Sequence, residues 1–224
     1  QRMRLLGLAK SQEQVHRMLL KFVSPSEAEF LIDFYSKNSF LPGLKEEKVT
    51  VLFSDIANSA SIAEHDGPRE YAQILDSFYR NASEAIFQQG GTLKYLFTGI
   101  MAVFSHEILP DAERRAVEAG RELIMRMKPT GSLTESPSSF IGVSINSGPA
   151  MTGYVGGEQR VEFNVVGDTV NVANHMQEYA RSFRILAGPE TILALGETYP
   201  HKFFRTIYLR GRESPVDIHE VASE

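Results

Sequence analysis

The order of strands and helices that the residue pattern predicts constrains this chain more than any other feature. A buried strand rich in β-branched residues precedes a long amphipathic helix, a hairpin and a second long helix, and further strands and a third helix follow. This order predicts an α+β sandwich in which helices cover one face of a mostly antiparallel sheet. The predicted segments are a strand at 48–53, a helix at 61–89, a hairpin within 90–104, a helix at 111–127, paired strands at 140–146 and 151–155, a strand at 161–166, a helix at 168–181 and a last strand at 216–221.

The first 47 residues are predicted to form a helical and linker segment before the main domain at 48–224. Apolar residues recur at spacings of three and four from Val15 to Val23, which predicts an amphipathic helix. Ser24 can cap a second helix, with Pro25 in its first turn and Glu27 completing a capping box. These helices either pack against the domain or form a dimerising or signal-transmitting surface, and the pattern leaves both interpretations open.

Composition excludes several classes of function. Of 224 residues, 42% are hydrophobic and 23% charged, which is typical of a folded soluble domain, and no apolar run reaches the roughly 20 residues that a membrane span needs. The net charge of −5 argues against a nucleic-acid partner, and the absence of cysteine excludes thiolate metal sites. Because the chain begins with Gln1 rather than Met, we expect a piece of a longer cytoplasmic protein with a sensor or membrane region upstream.

Asp55 is the first candidate functional residue. It ends the strand at 48–53 and precedes small polar residues, a position that suits Mg²⁺ held by one or two carboxylates and substrate phosphates. A single aspartate after a strand also commonly caps the next helix or anchors a turn. Position and residue type alone leave both roles open.

A second candidate site begins where the strand at 161–166 enters the next helix. Asn171 and His175 are four residues apart on that helix, so they share one face and can present an amide and an imidazole to a phosphate or a ribose. In the alternative interpretation Asp168 and Thr169 only begin the helix, and Asn171 and His175 face solvent.

The hairpin between these segments lacks acidic residues. Gly99 is predicted to supply the conformational freedom of its turn, and Thr98 precedes it. No Asp or Glu occurs between Gly90 and Phe104.

Five ordered motifs together resemble the class III adenylate/guanylate cyclase catalytic domain over residues 48–221. They are VTVLFSDI at 49–56, GGTLKY at 90–95, GIMAVF at 99–104, INSGPAMTGYVG at 145–156 and VVGDTVNVA at 165–173. The resemblance implies a ferredoxin-like α/β sandwich whose active sites form at a head-to-tail dimer interface. Each chain of such a dimer supplies part of each site.

The resemblance also implies a mechanism and assigns residues to it. Two Mg²⁺ or Mn²⁺ ions held by two aspartates activate the ribose 3′-hydroxyl of ATP or GTP and stabilise the leaving pyrophosphate. Asp55 matches the first metal aspartate and Ile56 the residue that lends a backbone carbonyl. Asn171 matches the asparagine that orients the ribose. Lys94 lies near the base-reading lysine, although Tyr95 is an alternative because the hairpin is one residue shorter than usual.

Departures from the family pattern are concentrated in the site. Thr98 stands at the second metal aspartate, His175 at the arginine that stabilises the transition state, and Asn164 at the base-reading Asp or Thr. The residues at 58–60, Asn-Ser-Ala, replace the usual Gly-Phe-Thr of the phosphate loop. Asp168 and Arg210, with Arg212 as the alternative to the latter, complete the expected substrate-binding residues.

These departures predict a catalytically degenerate domain that acts as a dimerising regulatory or nucleotide-sensing module. Loss of an arginine of the transition-state type costs on the order of 10³–10⁵ in rate, and a neutral hydroxyl cannot replace a metal-binding carboxylate. The alternative is an active, divergent cyclase that uses Asp55 with one metal, or pairs with a different cyclase domain that supplies missing groups. We expect a head-to-tail homodimer, or a heterodimer with such a domain, and a divalent metal only where nucleotide binds.

Overall fold

The computed structural model describes residues 13, 14, 16, 17, 20, 23–57, 59–65, 67–128, 141–157 and 160–223. The chain divides into two compact units, 1–42 and 43–224. In the first unit, helix α1 spans Pro25–Asn38, and the Ser24 side chain accepts a hydrogen bond from the Glu27 amide, as the capping pattern predicts. Most of the helix predicted from Val15 to Val23 lies outside the described residues.

The second unit carries the predicted alternation of strands and helices. Strand β1 begins at Lys45, three residues before the predicted start, because Lys45 to Glu47 continue its pairing with β4. The elements are β1 (Lys45–Ile56), α2 (Ser59–His65), α3 (Pro68–Gln88), β2 (Thr92–Tyr95), β3 (Gly99–Ser105), α4 (Ala112–Met127), β4 (Ile141–Gly157), β5 (Arg160–Val166), α5 (Asp168–Gln177), β6 (Ile185–Ala187), α6 (Pro189–Leu195), a 3₁₀ turn (Gly196–Thr198), β7 (His201–Ile207) and β8 (Val216–Val221).

One mixed sheet joins the strands of the described residues in the order β2-β3-β1-β4-β6-β8-β7, and β5 pairs with β4 outside this path. β4 and β6 are parallel, and the other pairs are antiparallel. The central strands β1 and β4 are therefore each hydrogen bonded on both edges, which agrees with their nearly continuous buried runs.

Helices cover both faces of the sheet, whereas the sequence predicted one covered face. Leu52 and Phe104 point toward α3 and α4, where Phe78 and Leu123 complete the largest core cluster. The alternate residues of the same strands point the other way, and Ala173 of α5 packs there against Phe53 and Val103. Because successive side chains of a strand alternate between faces, a strand buried on both faces needs a helix or hairpin on each.

Three predicted segments also differ in the structure, and one is the helix predicted at 168–181, which ends at Gln177. The strands predicted at 140–146 and 151–155 are a single strand, β4, which pairs first with β1 and β6 and then with β5. Gly148 and Pro149 suggested a turn, but both pair with β1 within this strand. The helix predicted at 61–89 is two helices, and Gly67, with φ of 87°, precedes the second.

Candidate functional site

Asp55, Ile56 and Thr98 lie together where β1 ends beside the β2–β3 hairpin, and we call these three residues the metal half. The register of β1 and β3 places Asp55 opposite Gly99, and the amide of Ile56 donates a 3.2 Å hydrogen bond to the carbonyl oxygen of Thr98. A carboxylate at position 98 would therefore adjoin Asp55. The structure thus brings the hairpin tip next to the end of β1, and their shared role as a site stays a prediction.

Gly99 is needed because the backbones of β3 and β1 lie close together here, not because the turn requires a left-handed conformation. Its φ is not in the left-handed region, so the predicted conformational role is wrong. A Cβ at this position would collide with the carbonyl oxygen of Ser54 and lie 2.8 Å from Cβ of Asp55. The absence of a side chain lets β3 approach the end of β1, and thereby brings residue 98 to Asp55.

Two side chains that the sequence analysis did not single out hold the Asp55 carboxylate. Nε2 of Gln177, at the end of α5, donates to Oδ1 of Asp55 at 2.8 Å and to the carbonyl oxygen of Gly142 at 3.1 Å. Nη1 of Arg181, just beyond α5, lies 3.4 Å from the same Oδ1. Gln177 is 6% exposed, whereas the side chains of Arg181 and Asp55 are 43% and 32% exposed.

The buried amide of Gln177 had a recognisable signal in the sequence. Helix α5 buries Thr169, Val172, Ala173 and Met176, and Gln177 falls on the same stripe. An amide on a buried stripe requires hydrogen-bond partners, which here are Asp55 and Gly142. Arg181 follows in the non-helical segment after α5, and its side chain also reaches Asp55 at the end of β1.

The residues present do not fit a pair of divalent metals. Asp55 is the one carboxylate of the metal half, and the described part of the chain contains no cluster of three or more His, Cys, Asp or Glu side chains suited to a metal ion. Thr98 offers a neutral hydroxyl, and Oδ1 of Asp55 already meets an amide donor and a guanidinium. Hard divalent cations favour several oxygen ligands and are repelled by a neighbouring cation.

Lys94 lies on β2 and Asn164 on β5. Nζ of Lys94 is 2.9 Å from Oε1 of Glu162, and this contact holds the pKa of the Glu162 carboxyl below its ordinary value. Oδ1 of Asn164 accepts a hydrogen bond from the amide of Val165 at 3.1 Å. The sequence did not single out Glu162, which pairs with the predicted base-reading lysine.

The predicted residues of α5 are accessible at the surface. Asn171 is exposed, and Nδ1 of His175, a 46% exposed side chain, lies 3.6 Å from Oε1 of Glu178. Asp168 pairs with Arg212 from the segment between β7 and β8, so the structure brings the alternative Arg212, rather than Arg210, to the start of α5. We call Lys94, Asn164, Asn171, His175 and the pair Asp168–Arg212 the nucleotide half.

Asp55 does not contact the candidate ribose and phosphate residues of α5 in the part of the chain that the structure describes. Among the described residues, no hydrogen bond or ion pair links Asp55 to Asn171 or His175. Asn171 lies six residues before Gln177, which is about 9 Å along the helix axis. Ser59 and Ala60 of the altered phosphate loop begin α2, while Asn58 lies outside the described residues.

A separate polar cluster lies near the opposite end of β1. The hydroxyl of Thr50 lies 3.1 Å from Nε2 of His106 and 2.9 Å from the hydroxyl of Ser147. Nε2 of His106 is also 3.5 Å from Oε1 of Glu113, which pairs with Lys48. Burial lowers the pKa of His106, and Lys48 lowers it further, while Glu113 and Glu47 oppose the shift.

Residues 43–220 match the family model described as the adenylate and guanylate cyclase catalytic domain. The chain belongs to this family. The solved guanylyl cyclase Cya2 superposes on 81% of the chain and 94% of its own length, with a TM-score of 0.73 and 27% identity. This likeness agrees with the α+β sandwich and the motif resemblance that the sequence indicated.

Named cyclases are similar to this cyclase domain over most of its length. The terminal-differentiation-specific adenylate cyclase of Dictyostelium discoideum is 26% identical over 95% of the chain, and adenylate cyclase 1 of Rhizobium meliloti is 27% identical over 78%. The chain spans 10% and 27% of the lengths of these two relatives. In the described part of the chain, no helix is both long and apolar enough to cross a membrane.

Proposed function

We propose that this cyclase domain is catalytically degenerate and acts as a dimerising regulatory or nucleotide-sensing module. One observation carries the proposal: Thr98 adjoins Asp55 where a second metal-binding carboxylate would be needed, and Asp55 itself is held by Gln177 and Arg181. With one carboxylate in place of two, the metal half lacks the charge that two divalent ions require. Without a bound metal ion, the several kcal/mol of transition-state stabilisation that the ion supplies are lost.

The nucleotide half is deficient in a different group. His175 stands where the family's transition-state arginine is expected, and its nearest charged neighbour is Glu178. An imidazole presents separate donors that point in different directions, whereas a guanidinium presents a planar fork of donors and is always charged. Removing an arginine of this kind costs on the order of 10³–10⁵ in rate. Because each half is impaired, a head-to-tail homodimer assembles two sites with the same defects.

A role in dimerisation or sensing requires only the parts that are retained. Lys94, Asn164 and Asn171 provide donors and acceptors for a purine and a ribose, and the packed sheet provides the dimerising surface expected of the family. In this proposal, a divalent metal accompanies nucleotide only weakly. The domain passes the state of an upstream sensor to a partner, either a second copy or another cyclase domain, within a larger cytoplasmic protein.

The proposal is tested by incubating the purified protein with ATP or GTP and Mn²⁺ and measuring cyclic nucleotide. We expect no product above that of an Asp55→Ala variant. Titration with a fluorescent nucleotide analogue then measures the retained pocket, and sedimentation measures dimerisation. Product that Asp55→Ala abolishes would contradict degeneracy. A strict monomer at high concentration that also fails to bind nucleotide would contradict the regulatory and sensing role.

A further inference from the structure

We propose that Arg181 is the resident cation of the metal half and that it keeps divalent metal away from Asp55. This inference deepens the proposed function and rests on it, since a domain without metal catalysis has no need to leave Asp55 free. It assigns a positioning and gating role to a side chain outside the motifs that define the family resemblance.

The contacts at Asp55 support this assignment. Gln177 fixes Oδ1 of Asp55 from a buried position, because the same amide group also donates to the carbonyl oxygen of Gly142. Arg181 approaches the same oxygen at 3.4 Å from the solvent side, with 43% of its side chain exposed. A divalent ion that binds this oxygen must therefore displace the guanidinium or accept a positive charge as its neighbour.

The electrostatics set the expected size of the effect. An exposed ion pair contributes little to stability, because water screens it and both side chains lose rotamer freedom on pairing. Metal binding responds more strongly, because the arginine both competes for the carboxylate and repels a doubly charged ion a few ångströms away. Together these effects predict a decrease in metal affinity on the order of tenfold.

Arg184 provides a matched control in the same segment. Its side chain is 44% exposed, close to the 43% of Arg181. It pairs with Glu220 at 3.7 Å and its guanidinium lies 5.4 Å from the centroid of the Phe204 ring, so it engages a different region. Replacing Arg184 by glutamine changes the net charge by the same amount without removing the contact to Asp55.

The experiment measures Mn²⁺ alone, without nucleotide, by the loss of the free-ion electron paramagnetic resonance signal. Arg181→Gln should bind Mn²⁺ about tenfold more tightly than the wild type. Arg184→Gln should match the wild type, and Arg181→Gln/Asp55→Asn should lose the gain. Arg181→Lys keeps the positive charge and should stay within about twofold of the wild type, and circular dichroism confirms that each variant is folded.

Three results would overturn the inference. Equal Mn²⁺ affinity of Arg181→Gln and the wild type would show that Arg181 does not compete with metal. A gain that persists with Asp55→Asn would place the bound ion elsewhere, and an equal gain from Arg184→Gln would reduce the effect to net charge. Because bound Mn²⁺ is measured rather than product, cyclic nucleotide formation by the wild type would overturn the proposed function separately.

Discussion

Nε2 of Gln177 lies 2.8 Å from Oδ1 of Asp55, so the last residue of α5 is hydrogen bonded to the end of β1. The two residues are 122 positions apart in the sequence, and the bond is possible because α5 crosses β4 on the face opposite α3 and α4. A carboxylate that the family resemblance assigns to metal is therefore held by a hydrogen bond within this cyclase domain.

The Gln177 amide should contribute measurably to stability. In Gln177→Met, a side chain of similar size leaves Asp55 and the carbonyl oxygen of Gly142 without this donor, so we expect the free energy of unfolding to fall by about 1–3 kcal/mol. Urea denaturation measures the change. The exposed Asn174 on the same helix is the control, and Asn174→Met should change stability by no more than about 0.5 kcal/mol. Equal effects of the two variants would contradict a specific role for Gln177.

Gly99 should be intolerant of any side chain. In Gly99→Ala, the added methyl group would meet the backbone of Ser54 and Cβ of Asp55, so the two strands must separate locally. We expect a loss of about 1–3 kcal/mol, the usual cost of overpacking a close contact. Thermal or urea unfolding reports it. Gly157→Ala, where nothing lies within 4 Å of the added Cβ, should be close to neutral. A neutral Gly99→Ala would mean that β3 lies farther from β1.

A carboxylate at position 98 should restore part of a metal site. Thr98→Asp would place a second negative charge beside Asp55. We expect Mn²⁺ affinity to rise by roughly tenfold, because two carboxylates attract and coordinate a divalent ion more strongly than one. Thr98→Asn is the neutral control of nearly the same shape and should behave as the wild type. Calorimetric titration with MnCl₂ separates the two. An equal affinity for both variants would show that residue 98 does not face Asp55.

The partly buried His106, near the other end of β1, should make the domain sensitive to acid. Because burial lowers the pKa of His106 below its ordinary value of 6.5, the folded state resists a proton that the unfolded chain accepts. The contribution of uncharged His106 to the free energy of unfolding is therefore complete above about pH 6.5 and is lost as the pH falls below that value. His106→Gln removes the titration, so its urea midpoint should fall less than that of the wild type between pH 7.5 and 5.5. Equal decreases in the urea midpoints of the two proteins would contradict a role for His106 in acid sensitivity.

The sequence could predict where Asp55 and Thr98 lie because each position depends on local pattern. Asp55 follows a continuous apolar strand, and Thr98 precedes a hairpin glycine, so each position is fixed by its own segment. The pairing of β1 with β3 then needs only the family topology to bring the two together. The same applies to Asn171 and His175, whose helical spacing alone places them on one face.

The contacts that Asp55 and Lys94 make could not be predicted from the local sequence pattern. Whether Gln177 and Arg181 reach Asp55 depends on how α5 packs across β4, which is a tertiary property. The pairing of Lys94 with Glu162 depends likewise on how the β4–β5 hairpin packs onto the side of the sheet that carries Phe53. The two-strand prediction for β4 was wrong because Pro149 lacks an amide donor and Gly148 is flexible, features that favour turns, whereas pairing with β1 holds both residues in an extended strand.

The central claim is that the cyclase fold is kept while catalysis is lost at residues 98 and 175. The most direct test is the initial rate of cyclic nucleotide formation with Mn²⁺ and ATP or GTP, compared between the wild type, Asp55→Ala and Thr98→Asp/His175→Arg. The account predicts that the wild type matches Asp55→Ala and that the double variant exceeds both by at least about tenfold, since each change restores a group that stabilises the transition state. A wild-type rate that equals the double variant and disappears with Asp55→Ala would contradict it.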